Sequence, residues 1–279
     1  MTDLFLCPIC RQKLSVVENS LKCPDNHSFD IAKEGYVNLD TNTRSMSKNS
    51  GDDKQMVVSR TKFLESTHYA PLKDALCLAI KNEAQKNTFS AILDAGCGEG
   101  YYTRHIKETL KDTNSHIIGV DLSKNAVKHA AKNCKESSFA VCSVYHLPLD
   151  DNSCDIVLNC FSPMANDEYL RVMKSSGLLV YVVPGENHLW ELKSILYDNP
   201  YKNPVKTEEY DGFTHIGVEN VKTRFTLTDN ESILALFNMT PYTWKTPKDS
   251  VERLKTLDTL EVQAEFNIHF YRKNDFKVK

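Results

Sequence analysis

Apolar residues follow two patterns along the chain. Between Gln55 and Lys86 they recur at helical spacing. Met56, Phe63 and Leu64 predict one helix, and Leu72, Leu76 and Ile80 predict a second after Pro71. From Phe89 onward, short apolar runs alternate with helical stretches. Ala91-Ile92-Leu93-Asp94 reads as a strand, Tyr101 to Leu110 as a helix, His116 to Asp121 as a strand, and Ser123 as the N-cap of the next helix. Phe139 to Cys142, Asp155 to Asn159 and Leu178 to Val183 supply three more strands. Such alternation predicts an α/β fold with a mostly parallel sheet covered on both faces. After Pro184 it loosens. His188 to Tyr197 and Asp229 to Asn238 predict helices, and residues 198–217 a cap or long loop. Val221 to Leu227 and Glu265 to Tyr271 alternate in the manner of an antiparallel pair at the sheet edge, giving seven strands in all.

The first 40 residues differ from the rest, being turn-rich and cysteine-bearing. An almost wholly polar stretch, TNTRSMSKNSGDDK over 41–54, separates them from the helical region. The predicted organisation is a small domain over 1–45, a linker and helical region over 46–88, and an α/β domain over 89–279. At 279 residues with 41% hydrophobic and 25% charged side chains, the chain can bury a sizeable core unaided. A formal charge of −3 excludes a uniformly basic nucleic-acid coat but leaves room for a local patch. No apolar run is long enough for a membrane span. The start of the chain lacks the basic and apolar regions of a secretory signal. Nine cysteines, most of them singly in apolar stretches, suit a reducing cytoplasm better than a disulfide framework.

Four soft ligands stand near the start. Cys7, Cys10, Cys23 and His27 follow the spacing C-x2-C-x12-C-x3-H. Three thiolates and an imidazole fill a tetrahedral zinc ion and leave no position for a reactive water, so the expected metal is structural. A redox C-x-x-C is the competing reading, and no βαβ pattern surrounds the pair to support it.

The second constellation is Asp94-Ala95-Gly96-Cys97-Gly98-Glu99-Gly100, which follows a strand and opens a helix. Glycines there permit a tight turn and close approach of a ligand. The spacing G-x-G-x-G departs from the dinucleotide fingerprint G-x-G-x-x-G, and Glu99 would repel a pyrophosphate while welcoming a cation. Asp121 ends the next strand, where an acid commonly holds ribose hydroxyls. Ribose, adenine and a cationic amino-acid tail together describe S-adenosylmethionine. The segment resembles the first motif of class I methyltransferases, a Rossmann-like fold. That resemblance implies Gly96, Gly98 and Glu99 on the amino-acid and ribose side, Asp121 on the ribose, and Ser143 near the adenine.

Taken together, the chain resembles the bacterial 23S rRNA (guanine-N1)-methyltransferase family, RlmA. The matching stretches include Cys7-Pro8-Ile9-Cys10, Phe29 to Leu39, Arg60-x-x-Phe63-Leu64, His68-Tyr69-x-Pro71-Leu72, His146-Leu147-Pro148, Pro184-Gly185-x-x-His188-Leu189, Met239-Thr240-Pro241-Tyr242 and Phe266 to His269. They run from residue 7 to about 270. The resemblance implies methyl transfer to guanine N1 in a hairpin loop of 23S rRNA, one zinc ion, cofactor contacts from Tyr69 and His188, a homodimer and a cytoplasmic location. It names no general base.

Other acceptors fit the sequence less well. Pyrimidine C5 transfer needs a nucleophilic cysteine in a Pro-Cys setting that Cys160 lacks, and exocyclic-amine transfer favours an Asn-Pro-Pro-aromatic run that Asn159-Cys160-Phe161-Ser162 is not. A small-molecule or protein methyltransferase with the zinc region purely structural is the alternative enzyme, and an RNA adapter with a decayed site the alternative non-enzyme. Asn159 reads equally as a ligand to a base edge and as a strand-end cap. Arg44, Lys48, Lys54, Arg60 and Lys62, and Arg272, Lys273, Lys277 and Lys279, are the basic groups available for phosphates.

Overall fold

Ser90–Ala95 is buried at every position, and the strands on either side of it are nearly so. These continuous apolar runs make the centre of a parallel sheet, where neither face meets water. The computed structural model describes residues 4–41, 54–88, 90–205, 209–244 and 246–274. The boundary expected at 45–46 therefore lies outside the described residues, as do Phe89, Arg44, Lys48, Lys277 and Lys279.

In chain order the strands are β1 (Ser15–Val17), β2 (Ser20–Lys22), β3 (Ser28–Asp30), β4 (Tyr36–Asn38), β5 (Ser90–Ala95), β6 (Ser115–Asp121), β7 (Ser138–Val141), β8 (Cys154–Cys160), β9 (Met173–Pro184), β10 (Phe213–Leu227) and β11 (Leu260–Lys273). The helices are α1 (Lys54–Glu65), α2 (Ala70–Ala84), α3 (Tyr101–Thr109), α4 (Lys124–Asn133), α5 (Asn166–Val172), α6 (Trp190–Leu196), α7 (Asn230–Asn238) and α8 (Lys248–Lys255), with a 3-10 turn at Pro241–Trp244. The main sheet has the order β10-β11-β9-β8-β5-β6-β7-β4. Strands β4 to β9 pair in parallel, while β11 runs antiparallel to both β9 and β10.

The sheet therefore holds an eighth strand beyond the seven expected. It is β4, three residues from the N-terminal region, which pairs with β7 through Tyr36–Phe139, Val37–Ala140 and Asn38–Val141. The zinc-binding segment is thus joined to the edge of the α/β sheet by backbone pairing. Ser123 caps α4 as expected, accepting from the Ala126 amide at 3.3 Å. Strand β10 begins at Phe213, inside the stretch read as loop.

One core lies on the face covered by α2, α3, α6 and α7, built from Leu72, Leu76, Ile80, Ile106, Leu192 and Leu236 against β8, β9 and β11. Another joins the N-terminal region to the sheet. Phe5, Leu14, Leu21, Val37 and Leu39 pack with Leu93, Val120, Leu147, Leu149 and Tyr169. The Leu6 amide donates to Pro148 O at 2.8 Å, and the Arg11 guanidinium donates to Leu147 O and Leu149 O at 3.0 and 3.1 Å. Buried Lys193 donates to Tyr201 O and Asn203 Oδ1, tying the segment after α6 down beneath the rings of Tyr201 and Tyr242.

Candidate functional site

The ribbon strands bring four ligand atoms together. Cys7 Sγ lies 3.5 Å from His27 Nδ1, Cys23 Sγ 3.3 Å from the same nitrogen, and Cys10 Sγ 3.6 Å from Cys23 Sγ. All four lie within 4.8 Å of one another. Tetrahedral zinc, at about 2.3 Å to sulfur and about 2.0–2.1 Å to nitrogen, separates its ligands by about 3.5–3.8 Å. The cluster therefore has the dimensions and donor set of a closed structural zinc site. Left-handed backbone at Arg11 and Asn26 turns each ligand pair back on itself. The Arg11 amide donates to Cys7 O and the Asn26 amide to Cys23 O.

A cavity of about 680 Å³ opens at the carboxyl ends of β5, β6, β8 and β9. Tyr69, Gly96, Gly98, Glu99, Asp121, Ser143 and His188 all line it. The seven expected residues come from separate stretches of sequence, and the crossover topology gathers them at the place where open α/β sheets bind ligands.

The glycine loop is tightly built. Gly96 has φ +87°, and a Cβ there would fall 2.5 Å from the Ser162 Cβ. Gly100, at φ +83°, starts α3, and a Cβ there would meet the Ala130 methyl at 2.7 Å. The amides of Gly96 and Cys97 donate to Val120 O, that of Gly100 to Cys97 O, and that of Gly98 to Asp121 Oδ2 at 3.1 Å. These four amides are already engaged within the protein, so they are not offered as the anion cradle of a dinucleotide-phosphate loop. Asp121 Oδ1 also accepts from the Ser123 amide at 2.7 Å. A carboxylate oxygen has two lone pairs, so each can serve a ligand hydroxyl beside its backbone amide.

Tyr69 is 3% exposed, and its hydroxyl is buried with no hydrogen-bond partner. Tyr102, which also lines the cavity, is in the same condition. Leaving a buried hydroxyl unpaired costs free energy, so both are positions where the polar atom of a ligand would be favourable. His188 is buried, which drives its imidazole down to about 4 and keeps it neutral. Its Nδ1 lies against the Glu265 backbone, 2.9 Å from O and 3.2 Å from N, so Nε2 is the ring atom left for a ligand. Ser143 Oγ accepts from the Tyr145 amide at 3.2 Å, leaving its own proton to donate.

Asp94 lies beneath the loop at 2% exposure, accepting from the Thr103 hydroxyl at 2.5 Å. Burial pushes its carboxyl up to about 7, with the Thr103 hydrogen bond pulling down and the Asp121 charge pushing up. The Cys160 thiol is raised well above its ordinary range by burial and is no thiolate nucleophile.

Asn159 turns out to be a strand-end cap. It is fully buried, its amide donating to Pro163 O and Tyr169 OH, while its Oδ1 accepts from the Ser162 amide. The loop it fixes presents Phe161 at φ +60°, a left-handed conformation rare for a bulky side chain. Phe161 is 46% exposed on the cavity wall, and Tyr145 and Trp244 are 51% and 63% exposed there. Sequence reasoning missed these three rings. It also grouped Arg60 with phosphate-binding residues, whereas Arg60 lines the cavity. Arg272 is held by Glu83 in a two-bond fork, and Lys273 donates to Met173 O and Asn152 Oδ1. Neither is a surface cation waiting for a phosphate.

Comparison with known proteins gives two family matches. Residues 5–40 match the N-terminal zinc ribbon of RlmA, and residues 92–177 match a methyltransferase domain. The Bacillus subtilis (strain 168) protein YxjB, provisionally named a 23S rRNA (guanine-N(1)-)-methyltransferase, is 32% identical over 95% of this chain and 96% of its own. The 23S rRNA (guanine(748)-N(1))-methyltransferase of Streptomyces fradiae is 31% identical over 88% of each chain. Among the described residues no helix is long and apolar enough to cross a membrane. Two relatives above 30% identity, matched from the zinc ribbon through the α/β sheet, show that the chain belongs to the RlmA family of 23S rRNA (guanine-N1)-methyltransferases.

Proposed function

We propose that the protein methylates N1 of a guanine in 23S ribosomal RNA, with S-adenosylmethionine as donor and zinc as a structural ion. The observation that carries this reading is the cavity itself, where an unsatisfied tyrosine hydroxyl, a neutral histidine and the Asp121 carboxylate converge on a glycine loop whose Gly96, Cys97, Gly98 and Gly100 amides are already engaged. Asp121 takes the ribose hydroxyls, Gly96 and Gly98 give close approach, and Tyr69, Glu99, Ser143 and His188 complete the enclosure. A ribosomal RNA substrate supports a cytoplasmic location.

When bound, the donor supplies a methyl group already activated on a sulfonium, so the chain has mainly to fix distance and in-line approach. The loop locked by Asn159 holds Phe161 on the cavity wall. Guanine N1 gives up its proton to water as the new N–C bond forms and the sulfonium S–C bond breaks, leaving a neutral thioether; Cys160, an un-ionised thiol, takes no part. We read Phe161 as a platform for an extruded base, since an exposed ring held in a strained backbone conformation marks a functional surface.

Primer extension on ribosomal RNA lacking its own modification tests the function. Treatment with the protein and donor should stop the polymerase at one guanine, because N1 methylation blocks pairing. Phe161→Ala should weaken that stop at limiting RNA while leaving affinity for S-adenosylhomocysteine unchanged. Methyl transfer to protein or small molecules with none to the RNA would overturn the reading.

Asp94 gives the cavity a pH dependence. Its carboxyl is protonated below about 7, and a ligand ammonium nearby favours the ionised form. Affinity for S-adenosylhomocysteine should therefore rise from pH 6 toward 7, by at most about tenfold per pH unit, and level off above. For the unliganded protein the sign is opposite. The folded state holds a proton that the unfolded chain has lost, so this group's contribution to stability declines as pH rises from its ordinary 3.8 to about 7. Calorimetry across pH 6–8 with wild type and Asp94→Asn checks it, and an unchanged slope in the variant would assign the effect elsewhere.

A further inference from the structure

The ligand proposed for the cavity carries two opposite charges at its amino-acid end, an ammonium and a carboxylate. The cavity supplies the first kind of partner in excess, through Asp94, Glu99 and Asp121. For the carboxylate the supply is scarce. The amides of Gly96, Cys97, Gly98 and Gly100 are already engaged, with Val120 O, Asp121 Oδ2 and Cys97 O. His188 is neutral, held so by burial. Among the described residues lining the cavity, Arg60 is the only lysine or arginine.

Arg60 also stands in the right place. It projects from α1 over the glycine loop, with Nη1 3.5 Å from the point a Gly98 Cβ would occupy and 3.9 Å from Glu99 Oε2. Its Nη2 donates to Met239 O at a long 3.4 Å. The contact with Glu99 is loose. The planar guanidinium presents its N–H donors in a fork that matches a carboxylate. The side chain is about three-quarters buried, 24% exposed, so an ion pair formed there is poorly screened by solvent. By contrast, Lys62 on the same helix reaches outward to Glu231 on the surface.

We infer that Arg60 binds the α-carboxylate of the donor's methionine moiety, and that it makes the site selective for adenosyl ligands that retain that carboxylate. This rests on the cavity being the S-adenosylmethionine site. Glu99, held next to Arg60, then faces the ammonium of the same amino-acid end. The pair reads a zwitterion with one charge of each sign, in a cavity whose other acidic side chains among the described residues are Asp94 and Asp121.

The test is a cycle of two ligands and two proteins, read by calorimetry. The ligands are S-adenosylhomocysteine and its carboxylate-free counterpart, S-adenosyl-3-thiopropylamine. The proteins are wild type and Arg60→Met, each checked for native circular dichroism. A charged, two-bond contact is expected to give wild type a preference for S-adenosylhomocysteine of about 10–100-fold. Arg60→Met should remove that preference, lowering affinity for S-adenosylhomocysteine and leaving the amine analogue unchanged or tighter. Arg60→Lys should restore part of the preference. An equal loss for both ligands would make Arg60 a structural support, and no loss for either would remove it from the site, so both results overturn the inference. If wild type binds neither ligand, the donor reading of the cavity itself is wrong.

Discussion

Asp121→Ala is expected to lower affinity for S-adenosylhomocysteine by about 10²–10⁴-fold, the largest loss of any single substitution in the cavity. Two effects combine. The carboxylate at the end of β6 is the expected acceptor for the ribose hydroxyls, and hydrogen bonds to a charged group stabilise by about 1.5–3 kcal/mol each. It also holds the loop, taking the Gly98 amide on one oxygen and the Ser123 amide on the other. Removal leaves both donors unsatisfied at the point where the chain turns into α4. Asp121→Asn separates the two contributions, because its remaining oxygen can accept only one of the amides and its NH2 opposes the other. The asparagine variant should bind more tightly than the alanine variant and well below wild type. Calorimetry on folded protein decides this, and an affinity within threefold of wild type for Asp121→Ala would remove Asp121 from the ligand site.

The features legible in the sequence are those with local causes. Strands β5 to β9 showed because strands buried on both faces are continuously apolar, and the Ser123 cap showed because capping is a three-residue interaction. The strand β4 did not show. It is three residues long, and its register with Phe139 to Val141 depends on a partner a hundred residues away in sequence. The first half of β10 was hidden by its edge position, where exposed residues such as Ile216, Val218 and Glu219 and an irregularity at Gly217 blur the alternation. The short helices α5 and α8 lack the length that makes periodicity visible.

The site divides in the same way. The zinc ligands and the Gly96–Asp121 constellation are local patterns whose chemistry can be argued residue by residue. Tyr69 and His188 entered only through family resemblance. What distinguishes them is an orphaned hydroxyl and a desolvated ring, properties that exist only once the chain has folded. Arg60 looked like one basic residue among several on a polar helix, and its direction of projection is what separates it from Lys62. Asn159 shows the converse. Its position suited a role toward substrate as well as a cap, but both ends of its amide are taken up in fixing the loop that carries Phe161.

Removing zinc is expected to undo the N-terminal region and to be felt in the cavity. The ribbon has strands of only three residues, and a segment under about 40 residues rarely folds without a staple. Zinc binding of this kind supplies about 10–16 kcal/mol of folding free energy. Cys10→Ser breaks the ligand set at its least buried thiol, so bound zinc should fall from one per chain toward none. Without the metal, Phe5, Leu14 and Leu21 lose their fixed places in the core they share with Leu147 and Leu149. Arg11 and the Leu6 amide then release the carbonyls of residues 147–149, which lie just beyond the cavity-lining Ser143 to Tyr145. Residues 4–40 should become cleavable by protease while 90–205 stay resistant, and affinity for S-adenosylhomocysteine should fall by a few fold. The loss should stay far smaller than in Asp121→Ala, because Arg171 grips Leu147 O and Leu149 O independently at 2.9 and 2.8 Å. Methylation of ribosomal RNA should fall much further than donor affinity if the ribbon helps seat the hairpin. A zinc-free protein that keeps its ribbon protected would show that the shared core and the β4–β7 pairing hold this region in place without the metal.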